Sequence, residues 1–110
     1  MFKKENRLVP GVSFRNSHLF STPQILVKEK ENGLTINRFG IVVSKKIDKR
    51  AVTRNEIKRS LRAIVIDLGR KLYTGHDILL IVKTGLVGKT KEEEKLLIES
   101  VFGNAGLIKK

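Results

Sequence analysis

Cysteine and tryptophan are absent from this chain of 110 residues, and it holds only two prolines and one methionine. The lack of cysteine excludes disulfides, thiol catalysis and thiolate metal sites. Long apolar runs are missing too: none approaches the ~18 residues of a membrane span, and Met1 to Arg7 lacks the apolar stretch of a secretory signal. A cytoplasmic protein with no membrane association is the expectation. Histidine occurs only as His18 and His76, neither at a ligand-like spacing from carboxylates, so both are expected to be surface or partly packed residues. Glu92, Glu93 and Glu94 are consecutive and would point to different faces of a helix, which suits a helix N-terminus better than a metal site. Gly85 to Thr90 ends in Gly-Lys-Thr but has Lys83 where a phosphate loop needs its first glycine. No catalytic side chain and no metal site is expected.

Acidic residues are also scarce, 11 against 23 Lys and Arg, for a net charge of +12. With 40% hydrophobic residues the chain can nevertheless pack a core, and its length predicts a single domain over 1–110 that buries roughly 65% of the surface exposed when unfolded. Residues 38–62 carry nine basic side chains and only two acidic ones. A one-signed stretch of that density points to an interaction surface for a polyanion. Nucleic acid, anionic lipid and an acidic protein all remain open at this level.

Period-two alternation predicts a strand over Gln24 to Lys30, with Ile25 and Val27 on one face and Leu26, Lys28 and Lys30 on the other. Asn32-Gly33 suits a tight turn, and Ile36 to Ser44 resumes the strand pattern with Phe39, Ile41 and Val43 toward the core, so the two strands are expected to pair as an antiparallel hairpin. From Thr53 to about Gly75 the apolar residues Ile57, Leu61, Ile64, Val65, Leu68 and Leu72 recur at helical spacing. Asn55, Lys58, Arg59, Arg62 and Arg70 fall on the other side of that wheel. Thr53 and Glu56 have the spacing of a capping box. His76 to Lys83 reads as a buried strand covered on both faces, and Thr90 with Glu93 opens a second helix whose core stripe is Leu97, Ile98, Val101 and Phe102. Residues 1–23 form a variable segment in which Arg7 to Pro10 and Ser13 to Phe20 fit a loop, a short helix or an extra strand. The order predicts an α+β fold, a two-layer sandwich of a small mixed sheet with helices packed on it.

The basic stretch carries a motif: Ser44-Lys45-Lys46, a short spacer, Ala51-Val52, then Arg54-Asn55, Ile57-Lys58-Arg59 and Arg62. With Arg38-Phe39-Gly40 upstream and the His76 to Lys83 strand downstream, it closely resembles the bacterial ribonuclease P protein family over roughly residues 20–106. The resemblance implies a ribosomal-protein-like α+β domain that binds a large catalytic RNA and the single-stranded 5′ leader of precursor tRNA. The RNA and its magnesium ions would carry out the cleavage, with no metal bound by the protein alone. It also implies a monomer in a 1:1 ribonucleoprotein. By matching positions, residues 44–62 form the basic loop and RNA-binding helix, with Lys45, Lys46, Lys49, Arg50, Arg54, Asn55, Lys58, Arg59 and Arg62 on RNA. Phe14, Phe20 and Lys28 are the leader-binding candidates.

Two departures from the family pattern stand out. Glu56 occupies the place of the motif's second arginine and reads as the capping partner of Thr53. Between Phe14 and Phe20 the chain is several residues shorter than the pattern, so the family's first helix lacks its usual length and Phe20 is equally a core candidate. The main alternative function is a ribosomal-type RNA-binding protein with no part in catalysis. A membrane-surface or acidic-protein binder fits less well, because the apolar stripe from Ile57 to Leu72 is needed for the core.

Overall fold

The most apolar segment of the chain, Ile78 to Val82, takes the middle of the sheet and organises the elements around it. In the computed structural model, which describes residues 6–8 and 13–109, the strands are β1 (His18–Ser21), β2 (Ile25–Glu31), β3 (Arg38–Val42) and β4 (His76–Val82). The helices are α1 (Ala51–Leu68) and α2 (Lys91–Asn104). The sheet order is β1-β2-β4-β3, antiparallel except for the parallel β3–β4 pair. This is the expected two-layer α+β sandwich with a mixed sheet.

The expected β2–β3 hairpin does not form, because β4 lies between those two strands. Asn32-Gly33 does turn, with φ +71° at Gly33, but the connection continues to Asn37 and is bonded to the start of β4. Asn32 N–H donates to the Gly75 carbonyl at 2.9 Å. Asn37 donates to the Tyr73 carbonyl at 2.8 Å and accepts from His76 N–H at 2.9 Å. β4 is fully buried on the helix side at Ile78 and Leu80 but only half-buried at Leu79 and Ile81, so it is not covered equally on both faces. Among the described residues, α1 and α2 pack on one side of the sheet only.

That side holds the core, where Ile25, Val27, Leu80, Leu61, Val65, Ile98 and Phe102 are all inaccessible to water. The apolar stripe of α1 packs as its spacing requires, and Leu72 remains buried although the helix tightens into a 3₁₀ turn at Gly69–Lys71. α2 opens with the expected reciprocal capping box between Thr90 and Glu93. The Thr53–Glu56 box is absent: α1 starts three residues earlier than that cap requires, its N-cap is Arg50, and no side chain caps it. Of the undecided N-terminal segment, His18–Ser21 is an extra strand, and Arg7 makes a parallel bridge to Phe39 at the outer edge of β3. Val9 and Pro10 lie outside the described residues.

Asp77, inaccessible to water, fixes the end of the sheet. Arg38 grips it with Nε and Nη2, both at 2.7 Å, and Asn32 donates at 3.0 Å. Burial alone would push this carboxyl up, but the hydrogen bonds from Arg38 and Asn32 outweigh it and hold the group below its ordinary value. The unfolded chain therefore takes up the proton more readily. The stability contributed by this group is complete above about pH 4 and is lost as pH falls through its lower native value. Asp77→Asn should cost about 2 kcal/mol at neutral pH, less than a fully buried pair because Arg38 keeps some contact with water. Urea unfolding from pH 2 to pH 7 should show the wild-type and variant curves converging at the acid end; parallel curves would contradict the assignment.

Candidate nucleic-acid interface

The basic motif folds into one continuous surface, the loop after β3 and the exposed arc of α1. The chain leaves β3 through the buried Val43 and turns at Ser44 to Ile47, closed by Ile47 N–H on the Ser44 carbonyl at 3.0 Å. Lys45, Lys46, Lys49 and Arg50 are exposed. Asp48 organises this loop: its carboxylate accepts from Arg50 through the backbone N–H at 2.8 Å, Nε at 3.2 Å and Nη2 at 3.1 Å. The Arg50 guanidinium and backbone N–H hold the Asp48 carboxyl below the usual range.

Arg54 reaches back from the first turn of α1, its Nη1 donating to the carbonyls of Asp48 at 3.0 Å and Lys49 at 2.8 Å. Part of this side chain therefore clips the loop to the helix and is not free for a ligand. Lys58 and Arg62 continue the same i, i+4 row, half-buried, while Asn55 and Arg59 are exposed. Glu56 does not stand among them. It faces α2, in a groove it shares with Arg59, Ala63, Asp67, Lys91 and Lys95. All nine predicted basic-stretch residues thus lie on one loop and one helix, with Arg54 in a partly structural role.

Strand register sorts the leader-binding candidates. Residues paired across the sheet point to the same side, so Leu26, Lys28 and Lys30 share the uncovered face with Leu19, Ser21, Leu79, Ile81, Gly40 and Val42. Phe14 belongs to this face: the Lys30 ammonium lies 5.4 Å from its ring centroid and also donates to the Ser13 carbonyl. Phe20 does not. It pairs with Val27 and packs against the core, so it sits on the far side of the sheet from Lys28 and cannot share a ligand with it. Nor is there a helix between Phe14 and His18; the chain turns there, with Asn16 at φ 63°.

Some residues of this face were not singled out from the sequence. Lys83 bonds Ser21 Oγ at 2.5 Å across the strand ends. Leu8 lies over Gly40, where an added Cβ would come within 2.9 Å of Leu8 Cδ1 and 3.1 Å of Leu79 Cδ1. The histidines do find a carboxylate. Buried Glu29 lies between His18 Nδ1 at 3.0 Å and His76 Nε2 at 3.6 Å, a ladder across β1, β2 and β4 that only the strand pairing brings together. Among the described residues no group of His, Cys, Asp or Glu is arranged to hold a metal ion.

Fold and surface together define a small α+β protein that presents one strongly basic loop and helix face, a class built to hold a polyanion. The family model described as Ribonuclease P matches residues 2–106. The chain belongs to this family, that of the bacterial ribonuclease P protein components. A ribonuclease P protein component from Syntrophomonas wolfei is 37% identical over 113 residues, covering 97% of this chain and 92% of that one. One from Synechocystis is 36% identical over 72 residues, and there the match spans only 58% of the relative's length. A solved RNase P protein mutant from Staphylococcus aureus superposes with a TM-score of 0.87 at 26% identity, covering 96% of this chain and 92% of the other. The Thermotoga maritima RNase P protein gives 0.66 at 26% identity, over 84% of this chain and 83% of the other.

Replacing Arg54 by Ala should release the loop without unfolding the helix. Amide hydrogen exchange at residues 46–50 should speed up by at least about tenfold, as expected for an opening made easier by roughly 1.4 kcal/mol, with Leu61 to Leu68 unchanged. Unaltered exchange in the loop would show that the clip contributes nothing.

Proposed function

We propose that this chain is the protein subunit that binds the catalytic RNA of ribonuclease P and the 5′ leader of precursor tRNA, promoting endonucleolytic removal of the leader. The observation that carries this reading is the cationic surface from Lys45 to Arg62, presented by a loop clipped to a helix. Several phosphates of a folded RNA could be met at once by Lys45, Lys46, Lys49, Lys58, Arg59 and Arg62, and the loss of condensed counterions would drive the association. Asn55 adds a side-chain amide for sugar or base edges.

The uncovered sheet face suits a single strand. Lys28 and Lys30 attract phosphates, Phe14 offers a ring for stacking, and Leu19, Leu26, Ile81 and Val42 form an apolar floor for bases. The protein positions; the partner RNA, with the magnesium ions it holds, supplies the cleavage chemistry. In this reading the chain works as a monomer in a 1:1 ribonucleoprotein in the cytoplasm. Among the described residues no helix is long and apolar enough to cross a membrane.

Added to a bacterial ribonuclease P RNA at low magnesium, the protein should raise cleavage of precursor tRNA, and the complex should bind precursor more tightly than mature tRNA. A ribosomal-type RNA binder would show neither effect. Lys28→Ala should reduce the precursor advantage while leaving mature tRNA binding unchanged; an equal loss for both would place Lys28 outside the leader path. Arg59→Ala should flatten the log–log salt dependence of RNA binding by ~0.7 to 0.9 per phosphate contact removed, and an unchanged slope would put the RNA on another face.

A further inference from the structure

The exposed arc of α1 is divided lengthwise by charge. At 100° per residue from Lys58, the side chains of Arg54, Arg62, Asn55 and Arg59 span from about −40° to about +100°, whereas Glu56 and Asp67 lie at about 160° and 180°. Both carboxylates line the groove toward α2, whose other charged residues are Arg59, Lys91 and Lys95. Asp67 is paired with Lys95 at 2.9 Å. Glu56 is exposed, and among the described residues no cation lies within ion-pair distance of it; Arg50 senses it only through longer-range attraction. It caps nothing, since α1 already begins at Ala51.

A carboxylate with no local structural task, set in the most basic helix of the chain, weakens attraction for every polyanion. Neither a helix cap nor a close ion pair accounts for it, and binding strength does not, whereas selectivity does. Resting on the reading that α1 binds the ribonuclease P RNA, we infer that Glu56 is a specificity-determining residue that marks the edge of the RNA footprint. A backbone that follows the Arg54, Lys58 and Arg62 side approaches Glu56 only at Arg59, whose cation lines the same groove. A backbone laid across α1 toward Lys91 and Lys95 passes over it, within the ~8–10 Å over which charges act at physiological salt. A regular RNA duplex, whose two phosphate rows straddle a helix, is the ligand rejected.

The test compares binding of a bacterial ribonuclease P RNA and of a regular RNA duplex by wild type, Glu56→Gln and Glu31→Gln. The last variant removes an equal charge at the exposed end of β2. Glu56→Gln should tighten duplex binding by about 3-fold to 10-fold and ribonuclease P RNA binding by less than about twofold, while Glu31→Gln leaves the ratio where it is in wild type. Equal tightening of both RNAs by Glu56→Gln, or the same change of ratio from Glu31→Gln, would overturn the inference and leave the partner assignment standing. If wild type holds the duplex as tightly as ribonuclease P RNA, the partner assignment itself falls and the inference with it.

Discussion

A single helix must both close the core and carry the densest positive charge in the molecule, and it does the two jobs at different ends. The fully buried residues of α1 are Leu61, Ile64, Val65 and Leu68, all in its second half. Each contributes roughly 1.5–3 kcal/mol on burial. The first ten residues, where Arg54, Lys58 and Arg59 sit, bury nothing completely and offer the core only the partly covered Ile57. Like charges repel there, and the complete burial that would offset the repulsion begins only at Leu61. What holds this end is polar: Arg54 on the Asp48 and Lys49 carbonyls, and Ser60 Oγ donating to buried Glu94 of α2 at 2.7 Å.

The sheet is divided as unequally as the helix. Its covered face is apolar, with Phe20 and Phe39 among the aliphatic residues, except where Glu29 meets the two histidines. The other face is left partly open, and Leu8 occupies the β3 side of it. Gly40 makes this possible: with no Cβ, it lets Leu8 settle against β3 while Leu8 N–H bonds the Phe39 carbonyl at 3.1 Å. A Cβ at this position would push Leu8 away, so one glycine decides how much of the uncovered face a ligand can reach.

The periodic elements could be read from the chain, and the pairings could not. Ile25 and Val27 alternate with Leu26 and Lys28 as a half-covered strand must, and Leu61, Ile64, Val65 and Leu68 repeat at the helical period, so their buried faces followed from spacing. The partner of β3 did not, because Asn32-Gly33 signals a turn without saying that the six-residue connection will bond Gly75, Tyr73 and His76 and admit β4. Thr53 and Glu56 have the spacing of a cap, yet Asp48, five residues upstream, turns the chain earlier and leaves Glu56 outside any cap. For the site, the basic motif delivered every cation of the helix and loop. The side of the sheet on which Phe20 falls depends on the register of β1 against β2, which no local pattern encodes.

The exit from β3 also sets how the two proposed RNA surfaces on so small a protein would act together. Val42 belongs to the uncovered sheet face, Val43 is buried in the core, and Lys45 already belongs to the basic loop. Three residues of extended chain span at most ~10 Å, so the proposed leader floor and the proposed catalytic-RNA surface are joined by less than two nucleotide spacings of backbone. The joint is stiff, because Val43 anchors it in the core and Arg54 clips the loop on its far side. On the proposed reading, a substrate strand on the sheet would be held at a fixed offset from an RNA on α1. A protein with no need for a reactive side chain can influence cleavage in this way, by fixing the distance between two bound RNAs before any chemistry begins.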